Sequence, residues 1–373
     1  MKKLLFLALA VCISLPLFAQ PGQGRGKIAI PDLNGYVTLK GDFHIHTVFS
    51  DGSVWPTVRI DEAYRDGLDV IAITDHLEYR PHLKEVEQLT NFSAQSLSHN
   101  LSYELAQGYA KERGIMLVRG SEITRGMPPG HNNAIFITNA DALATPEYMD
   151  AFRAAKAQNA FIFWNHPGWL AQQPDTTLWH DLHTQLLQQG MMQGMEVVNG
   201  SYFIEAHRWC LEKKLTMLGN SDVHAPMPPS APGKHRTITL IFARSATPEA
   251  VYEALKDRRT AVYFDDFIIG EEKYLKELFA NALDVTVTKA ENNTATITIK
   301  NKSDVPLRLR CAGHDSRIVY LRNFELLPYT IAPQSTQTIT VRLNNGVKGG
   351  DVNIYVENFL IEPNKGLTYT IKI

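Results

Sequence analysis

The chain has 373 residues, 44% of them apolar and 20% charged, with a formal net charge of −2. That length suits two domains, and the composition can bury a sizeable core, which excludes a disordered or low-complexity protein. The near-neutral balance gives no electrostatic footprint for nucleic acid or an anionic membrane surface, so no nucleic-acid partner is expected.

Met1-Lys2-Lys3 is a positive start, Leu4 to Phe18 a short apolar run, and Ala19-Gln20 closes it on a small residue. This reads as a signal peptide over residues 1–19, so the mature protein is expected to be exported, periplasmic or secreted. The run is too short for a comfortable membrane span, and Val11 before Cys12 is a poor lipoprotein context, so no stable membrane anchor is expected. Cys210 and Cys311 remain after cleavage. Export permits a disulfide, but no spacing motif links them, and each reads better as a lone buried thiol.

Residues 20–35 are Gly- and Pro-rich and read as a leader. Strand-like runs then cover Val37–His46, Val70–His76, Met116–Thr124, Asn133–Thr138, Ala160–His166, Met195–Asn199, Leu215–His224 and Thr237–Ala243. Helix-like segments lie between most of them, at Thr57–Asp66, Leu83–Arg113, Pro146–Ala157, Thr177–Gln189, Phe203–Lys213 and Pro248–Asp257. The alternation predicts βαβ units and a parallel sheet, closed into a distorted β/α barrel over residues 36–275. From about residue 280 to 373 the texture changes to alternating β-branched runs such as TATITIKN and TQTITVRL, separated by Asn- and Gly-rich turns. That pattern predicts a small all-β sandwich.

In β/α barrels the active site lies at the C-terminal strand ends. Those ends carry His44 and His46, His76, Glu122, His166, and Asp222 with His224; Asp51 follows in a turn, and His131 precedes the fourth strand. His44 and His46 share one strand face, because side chains alternate along a strand. Core packing has no reason to place polar groups at strand ends repeatedly, since burying them unpaired is costly. Nine such residues exceed the needs of one metal and suit two or three divalent ions, with carboxylates bridging; mixed imidazole and carboxylate ligation fits Mn, Fe or Zn.

In order and spacing these motifs resemble the polymerase-and-histidinol-phosphatase (PHP) superfamily over roughly residues 36–265. The run DFHIHTVFSDGSVWPTVRIDEAYRDGLDVIAITDHLEYRPH is especially similar to exported bacterial members regarded as phosphodiesterases. The resemblance implies a distorted seven-stranded barrel with a di- or trinuclear metal centre that hydrolyses phosphate esters. It implies His44, His46, Asp51, His76, His131, His166, Asp222 and His224 as ligands and Glu122 as the bridging carboxylate.

Paired metals lower the pKa of bound water, so a bridging hydroxide is the expected nucleophile, with Glu122 and Asp222 as its catalytic partners. His82, Arg80 and His235 are candidates to protonate the leaving group. Lys234, Arg236, Arg59 and Arg125 are candidates to hold phosphoryl oxygens, and Trp169 to line the substrate pocket. Asp75 is expected to orient a ligand or the backbone. The expected partner is a small-molecule phosphate ester; a homo-oligomer is allowed but not specified. Two other readings stand beside a phosphodiesterase: a metal-dependent hydrolase of a carbamate, amide or carboxylic ester, and a non-catalytic metal- or glycan-binding module. Cations near the metals favour phosphate, and a neutral aromatic pocket favours carbonyl substrates.

Overall fold

The computed structural model describes residues 24–373 apart from 91–92, 94–96, 232, 291, 322–323 and 325–327. The expected signal peptide and Cys12 lie outside the described residues. Among those described, no helix is long and apolar enough to cross a membrane.

The first half runs β1 (Val37–Asp42), α1 (Pro56–Arg65), β2 (Val70–Ile73), α2 (Leu83–Thr90), α3 (Leu101–Arg113), β3 (Met116–Ile123), β4 (Asn132–Ile135), α4 (Tyr148–Ala157) and β5 (Phe161–Trp164). It continues with α5 (Asp181–Gln188), β6 (Gly194–Asn199), β7 (Ser201–Tyr202), α6 (Ile204–Lys213) and β8 (Thr216–Asn220). β1, β2, β3, β4, β5, β6 and β8 are neighbours in that order. A parallel bridge between Ile45 and Val223 joins the extension of β8 back to that of β1 and closes the ring. Seven strands therefore make the barrel, as the resemblance implies.

One strand of the barrel departs from the expected all-parallel sheet: β4 runs antiparallel to both β3 and β5. Only residues 124–131 join β3 to β4, too few for the crossover that a parallel pair needs. The expected single helix Leu83–Arg113 is two helices. Ser98 and Asn100 bond Asp141 and Asn139 ahead of Leu101, and such side chains compete with helical backbone bonds.

Alternate residues of the strands fill the barrel. Leu39, Phe43, Val70, Ala72, Val118, Ile135, Phe161, Phe163 and Leu218 form one buried cluster, joined by Val251 and Leu255 of α7 (Pro248–Lys256). Towards the C-terminal ends this gives way to a fully buried polar layer of Asn133, Asn165, Glu196 and Asn220. Asn220 accepts the Phe43 N–H at 2.8 Å, and Asn133 donates to the Phe43 carbonyl at 3.1 Å.

β9 (Ile238–Ala243) adds antiparallel to β1, and β10 (Thr260–Phe264) and β11 (Phe267–Gly270) follow. This hairpin and α8 (Glu272–Ala282) were not foreseen as separate elements. The rest is all β: β12 (Leu283–Lys289), β13 (Thr294–Asn301), β14 (Leu307–Gly313), β15 (Ile318–Tyr320), β16 (Tyr329–Ile331), β17 (Thr336–Leu343), β18 (Asp351–Glu362) and β19 (Lys365–Lys372). β12, β13, β17 and β15 form one sheet; β16, β14, β18 and β19 form the other. Ile297, Ile299 and Val341 of the first and Leu307, Leu309, Val352 and Ile354 of the second share one core, as a sandwich requires. β18 also pairs parallel with β11, so the sandwich's second sheet is continuous with the sheet of the barrel. Both cysteines are free; Cys210 is buried as expected, but Cys311 is only partly buried.

Candidate metal centre

The strand ends converge. His44 and His46 follow β1, Glu122 lies near the end of β3, His166 follows β5, and Asp222 and His224 follow β8. Register is set by the main chain: the His46 N–H donates to the Val223 carbonyl at 3.1 Å, and the Asp222 N–H to the His44 carbonyl at 2.9 Å. His76 and Glu122 are bridge partners between the extension of β2 and β3. His166 and Asp222 both have positive φ, 29° and 53°, an unfavourable region for a side chain with a Cβ. The His166 N–H is fixed by Glu196 Oε2 at 2.7 Å.

Four atoms form a tight group. His44 Nε2 and His46 Nε2 each lie 3.2 Å from Glu122 Oε2 and 3.1 Å from Asp222 Oδ1. Neighbouring ligands on a tetrahedral ion with bonds of 2.0–2.1 Å stand about 3.3 Å apart, so each of these imidazole–carboxylate spacings suits two ligands on one divalent transition metal. The other oxygen, Glu122 Oε1, lies 2.7 Å from His131 Nδ1 and 4.0 Å from His166 Nε2. A third group forms around Asp51 Oδ1, 3.2 Å from His224 Nε2, 3.4 Å from His76 Nε2 and 3.6 Å from His46 Nδ1. All nine strand-end and turn residues are thus in one place. His46 Nε2, Asp51 Oδ1, Glu122 Oε1 and His166 Nδ1 are buried without a hydrogen-bond partner. Buried polar atoms are normally satisfied, and ions bound among these donors would satisfy the first three. The residues therefore fit divalent metals.

The electrostatics agree. Burial opposes charge on Glu122, but the charges of His76 and His44, with His131 close against its other oxygen, outweigh it and hold its carboxyl well below the usual range. Burial likewise opposes charge on Asp222, and the charges of His44 and His46 depress it nonetheless. Burial lowers the basicity of His46, yet the Asp222 and Glu122 carboxylates beside it raise its pKa to about 9.

A second ring of residues fixes the ligands. Glu196 accepts from His44 Nδ1 at 2.9 Å, Asn220 Nδ2 at 2.9 Å and Asn199 Nδ2 at 2.8 Å, besides the His166 N–H. The sequence reading missed Glu196. It lies inside β6, where no turn or strand end marks it; its one signal is a carboxylate on the inward face of an apolar run. Asp75 accepts from the Thr47 N–H, the Thr47 hydroxyl and the Ser50 hydroxyl at 2.7–2.8 Å, and so shapes the loop leading to Asp51. Gly52 is required there, because a Cβ would lie 2.6 Å from the His46 carbonyl carbon.

Several expected substrate cations lie elsewhere. Arg236 is buried, with its guanidinium on Asp42 at 3.2 Å and Asp66 at 2.6 Å, so no donor pair is left for phosphate. Arg59 is fully buried and donates to the carbonyls of His46, Val223, His224 and Ala225, fastening two ligand-bearing segments. Arg125 pairs with Glu78 at 2.8 Å. His235 stacks on Tyr263 and bonds the Asp265 carbonyl. Arg80 donates to the carbonyls of Phe49 and Leu97. A pocket of about 570 Å³ opens over the cluster. Asp51, His76, Glu122, His131, His166, Asp222 and His224 line it on the polar side; Gly168, Trp169, Leu170, Asn199, Ser201 and Phe203 form the rest. Trp169 lies in this wall of the pocket. Arg80, His82, Lys234, His235 and Arg236 are not among the lining residues, and no Lys or Arg is, among the described residues.

Comparison with known proteins gives a matching two-domain structure. A crystal structure from Bacteroides vulgatus, described as a two-domain protein containing a predicted PHP-like metal-dependent phosphoesterase, is 47% identical to this chain. It covers 95% of this chain and 100% of that one, with a TM-score of 0.87. A Bifidobacterium adolescentis structure described as that of a putative metal-dependent phosphoesterase is 18% identical, over 58% of this chain and 95% of its own, with a TM-score of 0.39. An uncharacterised protein of Methanocaldococcus jannaschii is 26% identical over 200 residues, 50% of this chain and 83% of its own. Residues 283–372 match the model of an Ig-like domain family.

Proposed function

This chain belongs to the PHP-like metal-dependent phosphoesterases, and on that premise we propose that it is an exported phosphodiesterase with a three-metal centre. Glu122 carries the reading. It is fully buried, and its two oxygens face separate donor sets, as a bridge between two metals requires. His44, His46, Glu122 and Asp222 would hold one metal, Glu122, His131 and His166 a second, and Asp51, His76 and His224, with His46 beside them, a third. When bound, such ions supply an acidified water as nucleophile and neutralise charge on a phosphoryl oxygen.

The chain's own residues set the rest. Glu196 fixes the ring of His44 through Nδ1, which leaves Nε2 for the centre. Asn199 Nδ2 bonds Glu196 Oε2 at 2.8 Å and Asp222 Oδ2 at 3.3 Å, so it sets the angle of the Asp222 carboxylate at the pocket floor. Asp222, kept ionised, is placed to accept a proton there. Apart from the ligands, no titratable side chain lines the pocket among the described residues, so the leaving group takes its proton from water. Activity on esters of acidic phenols should therefore greatly exceed activity on alkyl esters.

The same lining favours a diester. Trp169, Leu170 and Phe203 offer apolar surface to the substituent on a second esterified oxygen, which a monoester lacks. The uncharged wall also favours the second reading, a hydrolase of carboxylic esters, amides or carbamates. The metal-loaded protein should be assayed with p-nitrophenyl phosphate, bis(p-nitrophenyl) phosphate and p-nitrophenyl acetate. A kcat/KM at least about tenfold higher on the diester supports the proposal, being worth about 1.4 kcal/mol of transition-state binding. Preference for the acetate replaces it with the second reading.

A further inference from the structure

The barrel closes weakly where its metal ligands sit. β9 leaves the edge of β1 at Gly41, and the extension of β8 joins that edge through a lone bridge of Ile45 and Val223. Residues 42–44 fall between these two partners, so their backbone bonds must be met by side chains. Asn220 takes one of them, the Phe43 N–H.

Asp42 takes more. It ends β1 and is fully buried. Its Oδ1 accepts the Ser221 N–H at 3.1 Å and the His44 N–H at 3.4 Å, and its Oδ2 accepts the Ser221 hydroxyl at 2.5 Å. Ser221 immediately precedes Asp222, whose backbone is strained at a φ of 53°. The carboxylate therefore ties the segment that carries His44 to the segment that carries Asp222. A buried carboxylate also needs a cation. Arg236 Nη1 lies 3.2 Å from Asp42 Oδ2, and the same guanidinium is anchored on Asp66 Oδ2 at 2.6 and 2.9 Å, at the C-terminal end of α1. Asp42 is thereby fixed from behind by Arg236 and holds Ser221 and His44 in front.

We propose that Asp42 is a positioning residue for the first metal: held by Arg236 and acting through Ser221, it sets the separation of His44 from Asp222, and with it the affinity of that site for a divalent ion. The separation concerned is the 3.1 Å between His44 Nε2 and Asp222 Oδ1. Metal sites tolerate misplacement of only about 0.5 Å, so a slack seam is felt there first. This rests on the metal centre of the proposed function and not on the substrate assigned to it.

The test is the Zn²⁺ affinity of the metal-stripped full chain, measured by competition with a chromophoric chelator, beside the metal-free melting temperature of each variant. Asp42→Asn keeps the volume but gives up one acceptor oxygen and the charge; it should weaken the tightest site by about 10–100-fold and lower the melting temperature. Adding Arg236→Gln removes the stranded cation, while Asp66 keeps Arg65 at 3.0 Å. The melting temperature should then recover towards that of the wild type, with zinc affinity still about 10–100-fold down. Ser221→Ala leaves both charges in place and should weaken zinc by about fivefold through the one bond lost. An affinity within about twofold of the wild type in Asp42→Asn or in Ser221→Ala, or one that recovers together with the melting temperature in the paired variant, overturns the proposal. A wild type that takes up no zinc removes the metal centre and this inference with it. A wild type that binds zinc without turning over bis(p-nitrophenyl) phosphate removes the phosphodiesterase reading alone.

Discussion

A carboxylate sealed from water needs positive charge close by, and Glu122 has imidazoles on both oxygens. Glu122→Gln keeps the shape but removes the charge; it should lower kcat/KM by at least about 10²-fold and reduce bound metal, checked by elemental analysis. Glu196→Gln should weaken metal binding by about 10–100-fold without unfolding the barrel, because it loosens His44 and His166. His183 responds to pH in a different way. It is buried against Trp164, its Nε2 donates to the Pro129 carbonyl and its Nδ1 accepts from the His180 N–H. Burial pushes its pKa down to about 4. The unfolded chain then binds the extra proton between about pH 6.5 and 4, so stability is full above that window and is lost as pH falls through it. His183→Gln should make the unfolding free energy shallower there by about 1.4 kcal/mol per pH unit, as read by denaturant titration; an unchanged slope would rule the assignment out. At this scale the converging residues were legible because a His or Asp ending an apolar strand has no packing reason to be there. Glu196 and Arg236 were not. A charge within a run does not reveal whether it faces solvent, a ligand or another charge.

At the scale of elements, α1 latches the site. Arg59 leaves the helix to cap the carbonyls of residues 223–225 and of His46, and pairs with the buried Glu62 at 2.7 Å. Arg59→Met should cost about 3–5 kcal/mol, since it strands Glu62 and four carbonyls, and should release metal before the barrel melts. Arg59→Lys should rescue little, because one ammonium cannot span that fork. Melting curves followed together with metal release would check both. The βα alternation was readable from period and length. The reversal of β4 was not, because PPGHNNAIFI has the same texture in either direction and the short 124–131 link alone decides it. The gap between α2 and α3 hid because each flank is helical by pattern, and Ser98 and Asn100 act through distant partners.

For the whole molecule, the sandwich is built into the barrel's sheet. Ile268 and Ile269 of β11 register with Phe359 and Leu360 of β18, Phe279 of α8 packs on Phe359 and Tyr369, and Asn358 bonds the Asp266 carbonyl. A chain ending at residue 282 would expose that strand edge and those rings, so it should aggregate or melt well below the full chain. A soluble truncated barrel with an unchanged melting temperature would show that the two halves are independent. The change of texture near residue 280 marked the second unit in the sequence, but their shared strand pair depends on a contact about 90 residues apart, which no local pattern carries. Export remains part of the proposal, resting on the first nineteen residues.

The most direct measurement is anomalous diffraction from crystals of the metal-loaded protein, collected at the edge of the bound element. Peaks are expected between Glu122 Oε2, His44, His46 and Asp222, and between Glu122 Oε1, His131 and His166, with a third beside Asp51, His76 and His224. Peaks elsewhere, or a single metal out of reach of Glu122, would contradict the bridged centre on which the proposed chemistry stands.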